Sequence, residues 1–259
     1  MVTVKQMKCW QNSMVLFKRV IDISPGAWHM YSNYGNFLKN LGRSEEAIKY
    51  FNIAITMKPD FAEAYHNLGN AYRAINRFDE AIANYKKAIN LKPKFVQSHL
   101  DLGTLLGQMG KSDEALAELN KAMELEPNDA KILDSIGLLF AKKGKLDEAV
   151  RYYKKAIESD PGYELAHGRM ALALASLGKY EEALEQCRIV LRNNPNDVEM
   201  WRNNGLLLEK LGKIDDAISC LPQQFHGKIV AEEMAQGAPE LRTLVLIRQQ
   251  GLDPIHVER

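Results

Sequence analysis

Three cysteines, Cys9, Cys187 and Cys220, are all that 259 residues contain. So odd and sparse a set builds no disulfide framework, which removes the small stapled secreted domains from consideration. Neither sign of charge is in excess, with 34 Lys and Arg against 33 Asp and Glu and a net charge of +1. A dedicated nucleic-acid binder usually carries a strong basic surplus, so no nucleic-acid partner is expected. Long hydrophobic runs are also missing. The more apolar stretches, such as 170–177 and 244–247, fall far short of the ~18 residues a membrane span needs, and no direct membrane insertion is expected. Lys5 and Lys8 precede no apolar segment of the signal-peptide kind.

The motifs of catalysis are missing as well. No Gly-x-Ser-x-Gly, phosphate loop or dinucleotide fingerprint occurs, and the six histidines and three cysteines show no His-x3-His or Cys-x2-Cys spacing. The expectation is no catalytic residue, no metal, no cofactor, and a protein that is not an enzyme. The composition is otherwise ordinary for a globular chain, 46% hydrophobic and 26% charged, which excludes a disordered one.

What is present is a period. Pro25, Pro59, Pro93, Pro127, Pro161 and Pro195 follow one another at intervals of 34 residues, as do Ala47, Ala81, Ala115, Ala149, Ala183 and Ala217. Gly35, Gly69, Gly103 and Gly137 keep the same step, with Ala171 in the next slot and then Gly205. One such unit reads Tyr65-x2-Leu68-Gly69-x2-Tyr72, then Ala81-x3-Tyr85, Ala88 and Pro93. This resembles the tetratricopeptide repeat (TPR) family, whose pattern is W-x2-L-G-x2-Y, A-x3-F, a later Ala and Pro. Six repeats start at Trp28, Ala62, Val96, Ala130, Glu164 and Val198.

The resemblance implies an all-α solenoid, a right-handed superhelix of helix–turn–helix units. Gly42, Asn76, Gly110, Gly144, Gly178 and Gly212 stand where each first helix should stop, because Gly or Asn tolerates the left-handed backbone of that position. A basic residue follows each turn and an acidic pair, such as Asp113-Glu114, then opens the second helix, both favourable to the helix dipole. The acidic pairs recur at one repeat position and are therefore helix starts rather than catalytic carboxylates. His99 and His167 share a slot with Tyr31, Tyr65, Leu133 and Trp201, which points to packing. Cys187 takes the core slot of Phe51 and Tyr85 and reads as a buried, inert thiol.

Residues 1–27 read as a half repeat, residues 28–221 as the array, and residues 222–259 as a helical tail or cap, because Pro222 interrupts the last second helix. Helices are expected over 227–236 and 239–250, and about thirteen helices in the array and half repeat.

The family typically binds peptide segments on a concave face lined by the first helix of each repeat. By position, Asn33, Asn67, Asp101, Ser135, Arg169 and Asn203 form one row on that face. Asn36, Asn70, Thr104, Leu138, Leu172 and Leu206 form a second, and Lys39, Arg73, Gly107, Ala141, Ala175 and Glu209 a third. The candidate peptide groove is Asn33, Asn36, Asn67, Asn70, Arg73, Asp101, Thr104, Ser135, Leu138, Arg169, Leu172 and Asn203. Its Asn-rich part is similar to the asparagine ladder of O-GlcNAc transferase arrays, where side-chain amides hold a peptide backbone. The carboxylate clamp of chaperone cochaperones does not fit. Its slots hold Ser32, Asn36, Asn67, Gln97 and Asp101, so the required cations are missing and an EEVD-type tail is not expected. Val4-Lys5-Gln6 with Trp10-x2-Ser13-x2-Leu16-Phe17 resembles the segment that joins membrane part to array in TMTC and O-mannosyltransferase-like proteins.

The expected function is a protein-interaction scaffold holding an extended peptide or partner helix. The alternatives are a substrate-recruiting appendage of a membrane glycosyltransferase-like protein, and a solenoid that self-associates weakly through its N-terminal end. A compartment is not legible.

Overall fold

The structure is a computed structural model. It describes residues 26–213 together with Val15, Arg19, Ile23, Ser24, Asp216 and Ala217. Most of the half repeat, most of the last second helix and the whole tail lie outside the described residues.

The chain divides into two compact units, Met1–Pro127 and Asn128–Arg259. In the first, α1 (Trp28–Asn40), α3 (Ala62–Ala74) and α5 (Val96–Gln108) each pack against the helix that follows, α2 (Ser44–Met57), α4 (Phe78–Leu91) and α6 (Ser112–Leu125). The second holds α7 (Ala130–Lys142), α8 (Leu146–Ser159), α9 (Glu164–Ser176), α10 (Tyr180–Asn193) and α11 (Val198–Lys210) in the same order. Within each unit a second helix also packs on the next first helix, and first helices touch each other, α1 with α3 and α7 with α9. The fold is all-α, and the described residues contain no strand.

The turn between paired helices is built as the repeat predicts. Gly110 has φ +80° and Asn76 φ +60°, the left-handed conformation that ends a helix. Two backbone bonds close it: Asn76 N donates to Arg73 O and Arg77 N to Tyr72 O, both at 3.0 Å. The following residue then starts the next helix, since Ala81 N donates back to Arg77 O at 3.1 Å. Asp79 and Glu80 sit in that first turn, and Arg77 forms an exposed ion pair with Glu80.

The small-residue slots are where helices approach most closely. Ala47, Ala81, Ala115, Ala149, Ala183 and Ala217 are completely buried. A Cβ built on Gly69 would lie 2.7 Å from the Tyr85 ring, and one on Gly137 the same distance from the Tyr153 ring. Large side chains 16 residues on from the glycine fill the space it leaves, namely Phe51, Tyr85, Leu119 and Tyr153, all at most 1% exposed. Burying such a side chain stabilises by about 1.5–3 kcal/mol.

Apart from Ala27 before α1, the residue before each first helix is of one of two types. Asp129 and Asp197 are side-chain caps: Asp129 accepts from the backbone N–H groups of Lys131 and Ile132, and Asp197 from that of Met200. Phe61, Phe95 and Tyr163 cap nothing and reach the preceding repeat instead. Phe61 meets Trp28 edge-on with centroids 4.5 Å apart, and Phe95 meets His66 at 5.0 Å.

Candidate functional site

The first helices bury one face against their second helices, and most residues of the rows identified in the sequence are half-buried or exposed. In the first unit, Asn33 is exposed and Asn36 and Asn67 half-buried. None of the three has a side-chain hydrogen bond among the described residues. An amide so placed offers two donors and an acceptor with two lone pairs to whatever meets it.

Asn70 differs. Its Oδ1 accepts from the buried Tyr85 hydroxyl at 2.7 Å, and its Nδ2 donates to His66 Nε2 at 2.9 Å. His66 Nδ1 then lies 3.0 Å from Ser98 Oγ on the next first helix. With Nε2 accepting, the ring is neutral and Nδ1–H donates to Ser98. Beside this chain, Asp101 accepts from Gln97 at 3.2 Å and pairs with Arg73 at 3.5 Å. Burial lowers the His66 pKa, against the opposing pull of Asp101, and burial lowers that of Lys39 as well. Asn70, Arg73 and Asp101 are therefore one internal network tying α3 to α5. Thr104 is satisfied locally, since its hydroxyl donates to Leu100 O at 2.8 Å.

In the second unit Ser135 donates to Lys131 O at 2.7 Å, within its own helix. Arg169 pairs with Asp134, which also accepts from the Tyr163 hydroxyl at 3.4 Å. Asp134 is 2% exposed, and its Oδ1 has no hydrogen-bond partner among the described residues. Burial outweighs the attraction of Arg169 and raises its pKa to about 6. Leu138 is half-buried, Leu172 is half exposed at 50%, and the Asn203 amide has no partner among the described residues.

Asp134 and His66 occupy the same repeat slot, 68 residues apart, and each faces a group 35 residues on, Arg169 or Asp101. The slot holds an acid facing a base in one unit and a base facing an acid in the other. Neither His66 nor Asp134 stands out in the sequence, because that slot elsewhere holds Ser32, Leu100, Gly168 and Arg202.

Opposite pH dependences follow. His66, lowered in the fold, leaves the unfolded chain binding the extra proton below pH ~6.5, so the stability it contributes at neutral pH is lost on acidification. Asp134, raised in the fold, keeps a proton that the unfolded chain releases above pH ~4. Its contribution is present below that value and is lost as pH rises through about 6. In melting series from pH 4.5 to 8, H66Q should lose less stability than the parent on acidification, and D134N should gain less. An unchanged slope for D134N would show Asp134 ionised throughout that range.

The remaining sequence expectations resolve into packing. His99 Nε2 donates to Pro93 O at 3.0 Å and its Nδ1 lies 2.7 Å from Glu118. His167 repeats this with Pro161 O at 3.1 Å and Gln186 at 2.7 Å. Trp201 Nε1 donates to Pro195 O at 2.9 Å, so in these three repeats the slot ties the first helix to the proline before it. Cys187 is fully buried, and burial pushes its thiol up to about 12, which removes thiolate reactivity at neutral pH. Among the described residues no cluster of His, Cys, Asp and Glu is arranged to hold a metal ion. No described helix is long and apolar enough to cross a membrane.

Models of tetratricopeptide repeats match residues 35–75 and 69–110, 100–164, and 140–205. The chain belongs to the tetratricopeptide repeat family. No curated protein matches the sequence. Among solved structures, the APC/C hetero-tetramer Cut9–Hcn1 is similar at TM-score 0.71 and 19% identity, over 92% of this chain and 45% of that one. This TPR chain thus spans less than half of that protein. PilF of Pseudomonas aeruginosa is similar at TM-score 0.70 and 18% identity, over 87% of this chain and 97% of the other. YrrB, described as a TPR protein with an unusual peptide-binding site, is similar at TM-score 0.54 and 27% identity, over 71% and 95%.

Proposed function

We propose that this TPR chain is a non-catalytic adaptor that holds an extended peptide or a partner helix on the faces of its first helices. The observation that carries this reading is the set of amides with no side-chain partner among the described residues, Asn33, Asn36 and Asn67 in the first unit and Asn203 in the second. An amide on a helix face with no internal partner can pair with the N–H and C=O of any peptide unit, which gives binding without strict sequence demand. YrrB, with its peptide-binding site, supports the same use of the fold. The appendage and self-association alternatives rest on residues 4–23, which lie almost wholly outside the described residues.

Asn33→Ala, Asn36→Ala and Asn67→Ala combined should weaken peptides selected from a random library about tenfold or more, at ~0.5–1.5 kcal/mol per hydrogen bond lost. The melting temperature should move by no more than a few degrees, because no internal bond is broken. Asn70 is left intact, since its truncation would orphan Tyr85 and His66. Unchanged affinities in the triple variant would remove the amides from the binding face.

A further inference from the structure

The second unit contains a cleft of about 340 Å³ between α9 and α11 that reaches down to α10. Its origin lies in departures from the repeat. In the α3–α5 pair the equivalent space is filled by the Tyr85 ring, whose hydroxyl holds Asn70, and by Arg73, which extends to Asp101. One hundred and two residues on, those slots hold Cys187, Leu172 and Ala175. A ring and a guanidinium are gone, and Ala171 in the glycine slot returns only a methyl group.

The lining that results is apolar at the base and carries a few polar groups. Leu172, Ala175 and Leu206 form the apolar surface, above the buried Cys187. Ser176 presents no free donor, because its hydroxyl donates to Leu172 O at 2.9 Å. The remaining polar groups are the Tyr180 hydroxyl, the Asn203 amide and the Lys210 ammonium, none of which has a partner among the described residues. Glu209, next to Lys210, does not line the cleft. The volume falls at the lower end of the range for ligand pockets.

We infer that this cleft is a side-chain pocket for an internal segment of a partner protein. It takes one Leu, Met or Phe, with an adjacent Asp or Glu held by Lys210 and the intervening peptide unit held by Asn203. This rests on the peptide-binding reading above and names the residue class that one part of the face selects. Charge complementarity sets the acidic neighbour, since Lys210 is the one cation in the lining. The amide sets the internal position, because an uninterrupted peptide unit supplies both the N–H and the C=O that Asn203 can pair.

The test is a titration of an end-capped Gly/Ser peptide carrying a single Leu-Glu pair into 15N-labelled protein. Amide shifts should cluster on α9 and α11. Replacing the peptide's Leu by Ala, or its Glu by Lys, should weaken binding at least fivefold. Ala171→Gly with Cys187→Tyr restores the filled arrangement of α3–α5 and should abolish the shifts. Ala175→Arg fills the cleft from its mouth and should do the same if the core pair fails to fold. Lys210→Glu should reverse the preference, favouring a Leu-Lys peptide.

Absence of shifts at millimolar peptide, or equal binding by the filled variants, overturns the pocket. If library-selected peptides still bind the parent and are held equally by the filled variants, the pocket falls and the adaptor reading stands. If no library peptide binds the parent, both fall.

Discussion

Tyr153→Cys alone should destabilise the second unit by roughly 2–5 kcal/mol, the cost of a large-to-small change in a closed core. Tyr153 is 1% exposed, and its ring lies 2.7 Å from where a Cβ on Gly137 would sit. Gly137→Ala alone should cost roughly 1–3 kcal/mol through overpacking, even though alanine favours a helix by about 1 kcal/mol over glycine. The double variant should lose distinctly less than the sum, because the methyl then enters space that the ring has vacated. The chain already contains this combination, with Ala171 facing Cys187 one repeat later. Urea denaturation of the four proteins yields the coupling directly. Strict additivity would mean that ring and glycine do not share that space.

Ala115→Leu should cost about 1–3 kcal/mol, because Ala115 is fully buried where α5 meets α6 and its carbonyl lies 3.0 Å from a Cβ built on Gly103. Glu114→Gln, one residue earlier, should cost only a few tenths of a kcal/mol, since it lies in the exposed first turn of α6. Thermal melts that rank the two in the reverse order would place the helix faces one residue out of register.

Much of the fold is legible in the chain because every repeat states the same rules. The 34-residue period locates the turns, and the left-handed φ at Asn76 and at five glycines matches the six turn slots. The buried alanines and the packing of His99 and His167 follow from position in the repeat. The eleven described helices follow the predicted alternation.

The candidate face is a different matter. Position in the repeat places Asn33, Asn67 and Asn70 alike on first helices, yet only tertiary contacts separate the two free amides from the one locked between Tyr85 and His66. Repeat position also ranks Arg169 with the peptide-facing residues, whereas Asp134, buried one helix away, claims it. The cleft has its signals in the sequence, at Ala171, Ala175 and Cys187, but each reads singly as a tolerated substitution. The local pattern of the sequence determines helices, turns and close-packed slots, because these depend on spacing along one chain. Which polar groups are spent and which remain free, and where missing volume opens a cleft, depends on side chains about 15–35 residues apart meeting across helices, and only the tertiary structure decided that.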